Sequence, residues 1–289
     1  MGVVLVVGVT GNIGSRVARK LVAMGVDVRG IARHPSAFEG GGVELVQADL
    51  TDAAAADKAL EGVDSLYLTL PEAGEDPLGL EGAVATNVLR SATNAGVGHL
   101  VAHTAVHADR GDTGARILDN KHPIEEVIED SGLGYTILRP GWFLQNLFGA
   151  KGYLEQGMFA MPWPPDRAWA ATSVEDVARA AVAFLERGPA NAAFDVHISG
   201  GVTGAGICEA AGAVLGREVA YQEFPGPTRE FVEPYPLTPV LKDLYAELFD
   251  YFRRVDYQGD PTPIAGALEG FETTSVEAFM SAELFGPQS

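Results

Sequence analysis

The stretch Val3-Val4-Leu5-Val6-Val7-Gly8-Val9-Thr10-Gly11-Asn12-Ile13-Gly14 decides the fold. A β-branched apolar run leads straight into glycines at every third position, and a helical pattern from Ile13 to Ala23 follows. Strand, glycine turn and helix in that order make a pyrophosphate cradle. The backbone turns sharply at Gly8, approaches a phosphate closely at Gly11, and packs helix against sheet at Gly14. Glycine spacing alone is a weak signal; the strand before it and the helix after it make it a dinucleotide site. Thr10, Asn12 and Ile13 complete the turn that faces the phosphates.

Outward from this motif, short β-branched runs alternate with helical patterns. Val3–Val7, Asp27–Ala32, Val43–Gln47, Ser65–Leu70, Leu100–Thr104 and Tyr135–Leu138 read as strands. Ile13–Ala23, Ala53–Leu60, Gly82–Ala95 and Ile117–Asp130 read as helices. Such alternation predicts an α/β fold, a doubly wound parallel sheet covered on both faces. Residues 1–140 are expected to form the dinucleotide-binding domain, and 141–289 a small substrate-binding region interleaved with the sheet. All three tryptophans lie between Trp142 and Trp169, beside Phe143, Phe148, Tyr153 and Phe159. These rings suit either a core or the wall of an apolar pocket at the strand ends. A helix to about Arg187, a strand near Ala193–Ile198 and a helix Ala205–Leu215 follow. The segment Phe224–Tyr257 stands apart: prolines 225, 227, 234, 236 and 239 precede a helix opened by Thr238, with Leu241, Leu244, Leu248, Phe252 and Val255 on one face. It reads as a lid or as a helix that closes the domain. Trp142, Phe143, Tyr153, Phe231 and Tyr245 are the candidate substrate contacts. The cluster Gly200–Gly206 lacks dinucleotide spacing and reads as a turn with Thr203 as a helix cap.

Twenty Lys and Arg against 39 Asp and Glu give a net charge of −19 over 289 residues, which argues against nucleic acid and anionic membrane surfaces as partners. With 47% apolar residues a full core is available. A lone cysteine, Cys208, allows no intrachain disulfide, and Val3–Val9 is far too short to span a bilayer. A cytoplasmic protein is expected.

The end of the second strand selects the cofactor. An NAD site usually places Asp or Glu there; this chain has Ala32-Arg33-His34-Pro35, and Arg33 offers a forked cation to a 2′-phosphate. NADPH is the expected cofactor. Asp49 is expected to accept from the adenine amino group, Leu50 to pack on the ring, and Thr69, Leu70 and Pro71 to line the site from the fourth strand's end.

Together with Ala48-Asp49-Leu50, Asn120-Lys121-His122-Pro123-Ile124-Glu125, the run Ser131–Asn146 containing Leu138-Arg139-Pro140-Gly141-Trp142-Phe143, and Val174-Glu175-Asp176-Val177-Ala178, the glycine loop resembles the atypical, NmrA-like branch of the short-chain dehydrogenases/reductases. The resemblance covers residues 3 to 220 well and the lid segment poorly. It implies a Rossmann domain with a small C-terminal substrate region, and either an NAD(P)H-dependent reductase or a nucleotide-sensing regulator. It also places Lys121 on the nicotinamide ribose, with Pro140 and Phe143 beside the cofactor.

Short-chain reductases generally protonate the product from a Tyr four residues before that Lys. Here the position holds Ile117, which cannot donate. The usual Ser falls on Thr104 or, one residue on, Ala105. Thr104, His107 and, behind them, His103 are the remaining candidates for hydrogen bonding or acid catalysis. Thr104, Lys121 and His107 are therefore the candidate catalytic set. The first reading is an NADPH-dependent ketone or quinone reductase acting on a bulky, apolar, aromatic small molecule. The second is a non-catalytic NADP(H) sensor, and an isomerase would also want the absent Tyr. No metal site is expected, and oligomeric state is left open.

Overall fold

A computed structural model describes residues 2–286. The opening motif folds as its composition dictates. Strand β1 (Val4–Val7) is buried at every position, as apolar runs are in parallel sheets covered on both faces. Helix α1 (Gly14–Ala23) turns Gly14, Val17, Ala18 and Leu21 inward at helical spacing. Then come β2 (Val28–Ala32), β3 (Val43–Gln47), α2 (Ala53–Ala59), β4 (Ser65–Leu68), α3 (Pro77–Ala95), β5 (His99–His103), α4 (Arg116–Asp119), α5 (His122–Asp130) and β6 (Gly134–Pro140). The central sheet runs in the order Ala192–Val196, β6, β5, β4, β1, β2, β3. Strands β1 to β6 pair in parallel, with Val4 opposite both Val28 and Ser65. The chain therefore winds outward through β2 and β3, then returns to the other side of β1. That reversal leaves a crevice at the carboxyl ends of β1 and β4, where such sheets bind ligands.

Several boundaries shift for local reasons. The helix expected from Gly82 begins at Pro77, because Asp76 caps it, accepting from the Gly79 N–H at 3.0 Å, and Pro77 occupies its first position. The helix expected over 117–130 is broken at Asn120-Lys121: Pro123 has no N–H to give to the Asp119 carbonyl. Strand β4 stops at Leu68, two residues early, which releases Thr69 and Leu70 into the loop beyond it. The second glycine cluster is a turn, with Gly200 at φ 76° and Gly201 at φ 71°, followed by Thr203 capping the helix Gly204–Leu215.

The chain forms two compact units. The first contains residues up to 104, 120–139 and 177–194; the second contains 105–119, 140–176 and 195 onward. The first holds a continuous core under the sheet, including Leu5, Leu66, Val88, Leu100 and Ile137. The second is built from small strand pairs, Trp142–Phe143 with Ala171–Thr172 and Met158–Met161 with Ala220–Glu223, and from helices Thr228–Val232 and Pro239–Arg254. Pro239–Arg254 opens at Thr238 as expected. It buries Leu241, Leu244 and Phe252, but also Ala246, Phe249 and Tyr251, so it is covered on more than the one face its leucines mark. Among the described residues no helix is long and apolar enough to cross a membrane, and no group of His, Cys, Asp and Glu is placed to hold a metal ion.

Candidate active site

A cavity of about 250 Å³ opens where β1 meets α1. Gly8, Thr10, Gly11, Arg33, Asp49, Leu50, Thr69, Leu70 and Pro71 line it, together with Val7, Ile31, Ala32, Ala48, Leu80 and Val84. Gly8 sits at φ 72°, and a Cβ there would lie 2.3 Å from Thr69 Cγ2; one on Gly14 would lie 2.2 Å from the Gly8 carbonyl oxygen. At Gly11 a methyl group would meet the Gly8 oxygen at 3.2 Å and otherwise stand in open space. The Gly11 N–H closes the turn on the same oxygen at 2.9 Å. No side chain caps the first turn of α1, and the Ser15 N–H turns back to the Gly11 carbonyl at 3.0 Å. A cradle that Cβ atoms would fill, ending on an uncapped helix, fits a dinucleotide's phosphates.

At the rim formed by the ends of β2 and β3, Arg33 is exposed and its guanidinium makes no ion pair among the described residues; its own carbonyl accepts from Gln47 Nε2 at 2.9 Å. Asp49 accepts from the Thr51 N–H (3.0 Å) and hydroxyl (2.8 Å). Those bonds, with a smaller contribution from Arg33, hold its carboxyl below the ordinary value, so it stays an acceptor. Asn12 and Ile13 lie outside the cavity wall: Ile13 is buried, and the Asn12 carbonyl accepts from Arg16.

Beneath the strand ends lies a layer of committed polar groups. The Thr104 hydroxyl donates to Glu125 Oε1 at 2.5 Å, and Arg139 clamps the same buried carboxylate at 3.0 and 2.5 Å. Lys121, only 7% exposed, is held by the buried Glu81 and by Glu72 at 3.2 Å, while Asn120 donates to Glu81 at 2.7 Å. Burial pulls the Lys121 pKa down, but the two carboxylates outweigh it and leave the ammonium more firmly protonated than usual. The Tyr67 hydroxyl meets His103 Nδ1 at 2.9 Å, and Nε2 faces the Thr69 hydroxyl at 3.4 Å. Burial, reinforced by the Lys121 charge, drops the His103 pKa to about 4.

The second unit keeps its own accounts. His107 is buried at φ 68°, with Nε2 facing the Gln258 carbonyl and Nδ1 the Tyr251 hydroxyl, both at 2.9 Å. A carbonyl only accepts, so Nε2 carries the hydrogen and Nδ1 accepts from Tyr251. Burial lowers the His107 pKa and keeps it neutral. Ile117 is buried. A second cavity, about 510 Å³, is walled by Trp142, Tyr153, Phe231 and Tyr245, and by Phe159, Phe224, Tyr235 and Phe249. Phe231 is its hub, with ring centroids 5.5 Å from Phe224, 6.0 Å from Tyr235 and 5.8 Å from Phe249. Phe143 is not part of the wall.

The NmrA-like family model matches residues 1–280. The chain belongs to the NmrA-like family. It is 33% identical over 224 residues to a (4-alkanoyl-5-oxo-2,5-dihydrofuran-3-yl)methyl phosphate reductase of Streptomyces griseus, covering 76% of each chain. It is 31% identical to an NAD(P)H azoreductase of Xenophilus azovorans, over 75% of this chain and 76% of that one. The crystal structure of an NADPH-dependent quinone oxidoreductase of Escherichia coli, complexed with NADPH, superposes with a TM-score of 0.81 at 25% identity, over 95% of this chain and 97% of that one.

In this NmrA-like chain the sequence marks nine of the fifteen residues that line the first cavity, because glycines and strand ends are contiguous in the motif; Leu80 and Val84, from α3, are among those it does not mark. It misses Glu72, Glu81 and the clamp on Glu125. The last lies inside the Asn120–Glu125 run and was findable there; the other two carry no local signal. Of the second cavity it misses Phe224, Tyr235 and Phe249, although all three fall within the segment 224–257 singled out by its prolines.

Proposed function

We propose that the protein is an NADPH-dependent reductase of quinone-type or similarly activated carbonyl acceptors on a bulky aromatic framework. The observation that carries this is the glycine-walled cavity with exposed Arg33 at its rim and no carboxylate at the end of β2. Bound NADPH would supply the hydride. Gly8, Gly11 and the α1 amides hold the phosphates, Arg33 takes the 2′-phosphate, and Asp49 and Leu50 take the adenine. Thr69, Leu70 and Pro71 line the same cavity, and Lys121 positions the ribose by exchanging Glu72, its more exposed partner, for a hydroxyl. The aromatic cavity holds the acceptor, with residues 224–257 as its lid. Within that segment the helix Pro239–Arg254 is anchored: Phe249 and Phe252 pack on Trp163, and Phe252 stacks on Tyr257 at 3.8 Å.

Proton supply selects the acceptor. Thr104 spends its hydrogen on Glu125, His107 spends its own on Gln258, and His103 is neutral. With none of Thr104, His107 and His103 offering a proton in the tyrosine's stead, an acceptor that stabilises the charge it gains, as a quinone does, is favoured. A missing general acid costs about 10²–10⁴-fold in rate. NADPH consumption should therefore run at least ~100-fold faster with 1,4-naphthoquinone than with cyclohexanone. Fast cyclohexanone reduction would overturn the acid-free reading, and NADPH binding without turnover of any quinone would favour the regulatory sensor.

A further inference from the structure

Among the described residues the aromatic cavity has one charged lining residue, Glu230, and no Lys, Arg or His. Its surroundings make that carboxylate unusual. The nearby cations are committed elsewhere: Arg229 pairs with Asp243 at 2.6 Å and with Glu233, Lys242 with Glu233 at 3.0 Å, and Arg253 with Asp250 at 4.0 Å. Glu230 stands among them with no cationic partner among the described residues. It shares the helix Thr228–Val232 with Phe231, the hub of the aromatic wall. Tyr153, also on the wall, keeps 57% of its surface exposed.

Ring faces carry negative potential, and a carboxylate beside them adds a full charge. Together they attract a cation more than either does alone. The chain's charge of −19 acts in the same sense at longer range. A phosphate or sulfonate would meet Glu230 with no cation to offset it. The phosphate named in the Streptomyces relative's substrate therefore has no counterpart in this cavity.

We infer that the aromatic cavity is a binding site for aromatic molecules carrying a positive charge, with Glu230 as the selecting residue, and that it discriminates against anionic analogues. The inference rests on the assignment of this cavity to the acceptor, and its test separates the two. Three probes of one shape serve: benzyltrimethylammonium, its neutral carbon isostere neopentylbenzene, and benzylphosphonate. Calorimetry on the full chain, with and without NADPH, should give the ammonium about tenfold tighter binding than the isostere, and no measurable binding of the phosphonate. Glu230→Gln should bring the ammonium's affinity down to that of the isostere, and Glu230→Lys should make the phosphonate bind better than the ammonium. Equal affinities for ammonium and isostere, or a preference that survives Glu230→Gln, overturn the inference. The ammonium should also compete with naphthoquinone in NADPH consumption. The expected preference without competition overturns the assignment of the cavity to the acceptor, whereas naphthoquinone turnover without the preference overturns the charge selection alone.

Discussion

Backbone, glycine and the ends of four parallel strands wall the first cavity, whereas rings gathered from residues 142–161 and 224–249 wall the aromatic one. The first has almost no freedom to change. Its shape is set where one added carbon atom collides with the main chain, and main chain cannot step aside as a side chain can. The second is shaped by side chains whose replacement alters the cavity without moving the scaffold. A site of the first kind is suited to one invariant ligand, and a site of the second kind to an acceptor that differs between related enzymes.

The sharpest way to break this contrast is Gly14→Ala, which drives a Cβ to 2.2 Å from the Gly8 oxygen. It should cost on the order of 3 kcal/mol in stability and abolish measurable NADPH binding, read by thermal unfolding and by titration. If Gly14→Ala binds NADPH normally, the cavity is not backbone-limited. Lys121→Met comes next, because it leaves Glu81 buried without its cation. A loss of about 3 kcal/mol is expected, partly restored in the double variant Lys121→Met/Glu81→Gln. An equal loss in both would mean that packing, and not charge, is at stake.

Arg33→Ala should weaken NADPH binding by about 1.5–3 kcal/mol and leave NADH binding alone, since only the 2′-phosphate loses a partner. Equal affinities for the two nucleotides in the unmodified protein would remove Arg33 from the site. Phe231→Ala should raise KM for naphthoquinone about tenfold while NADPH affinity stays constant, which checks the independence of the two cavities. The smallest effect near neutrality concerns His103. Its folded pKa, about 4, lies below the ordinary 6.5, so protonation favours the unfolded chain. Stability should be complete above pH 6.5 and fall as the pH drops towards 4; His103→Gln should flatten that slope in acid unfolding curves. His99, also lowered to about 4 by burial, and His107, lowered likewise, contribute to the slope that remains.

How much could be read beforehand follows from the same contrast. The sheet, its order reversal and the glycine cradle were legible because parallel strands and turns are specified by contiguous residues. Arg33, Asp49 and Thr69 were legible because they sit at strand ends whose positions the alternation predicts. His107 was not. Its neighbours Tyr251 and Gln258 are more than 140 residues away, so nothing local reveals that a loop histidine is tied at both nitrogens. Glu81 looks like a surface residue of α3 until Lys121 arrives from another element. The break at Asn120 was available from Pro123 and was outweighed by the helical periodicity around it.

The interleaving of the two units bears on how the molecule can be made. Six alternating segments mean that the chain passes between units five times before it ends. A ribosome that has released the first 140 residues has exposed the strands of a sheet whose edge, Ala192–Val196, is still to be synthesised. Neither cavity can be excised as a gene fragment, because each unit lacks stretches that lie inside the other's span. The two cavities are thus inherited and translated as one piece, and a new specificity arises by changing residues in place, not by exchanging modules.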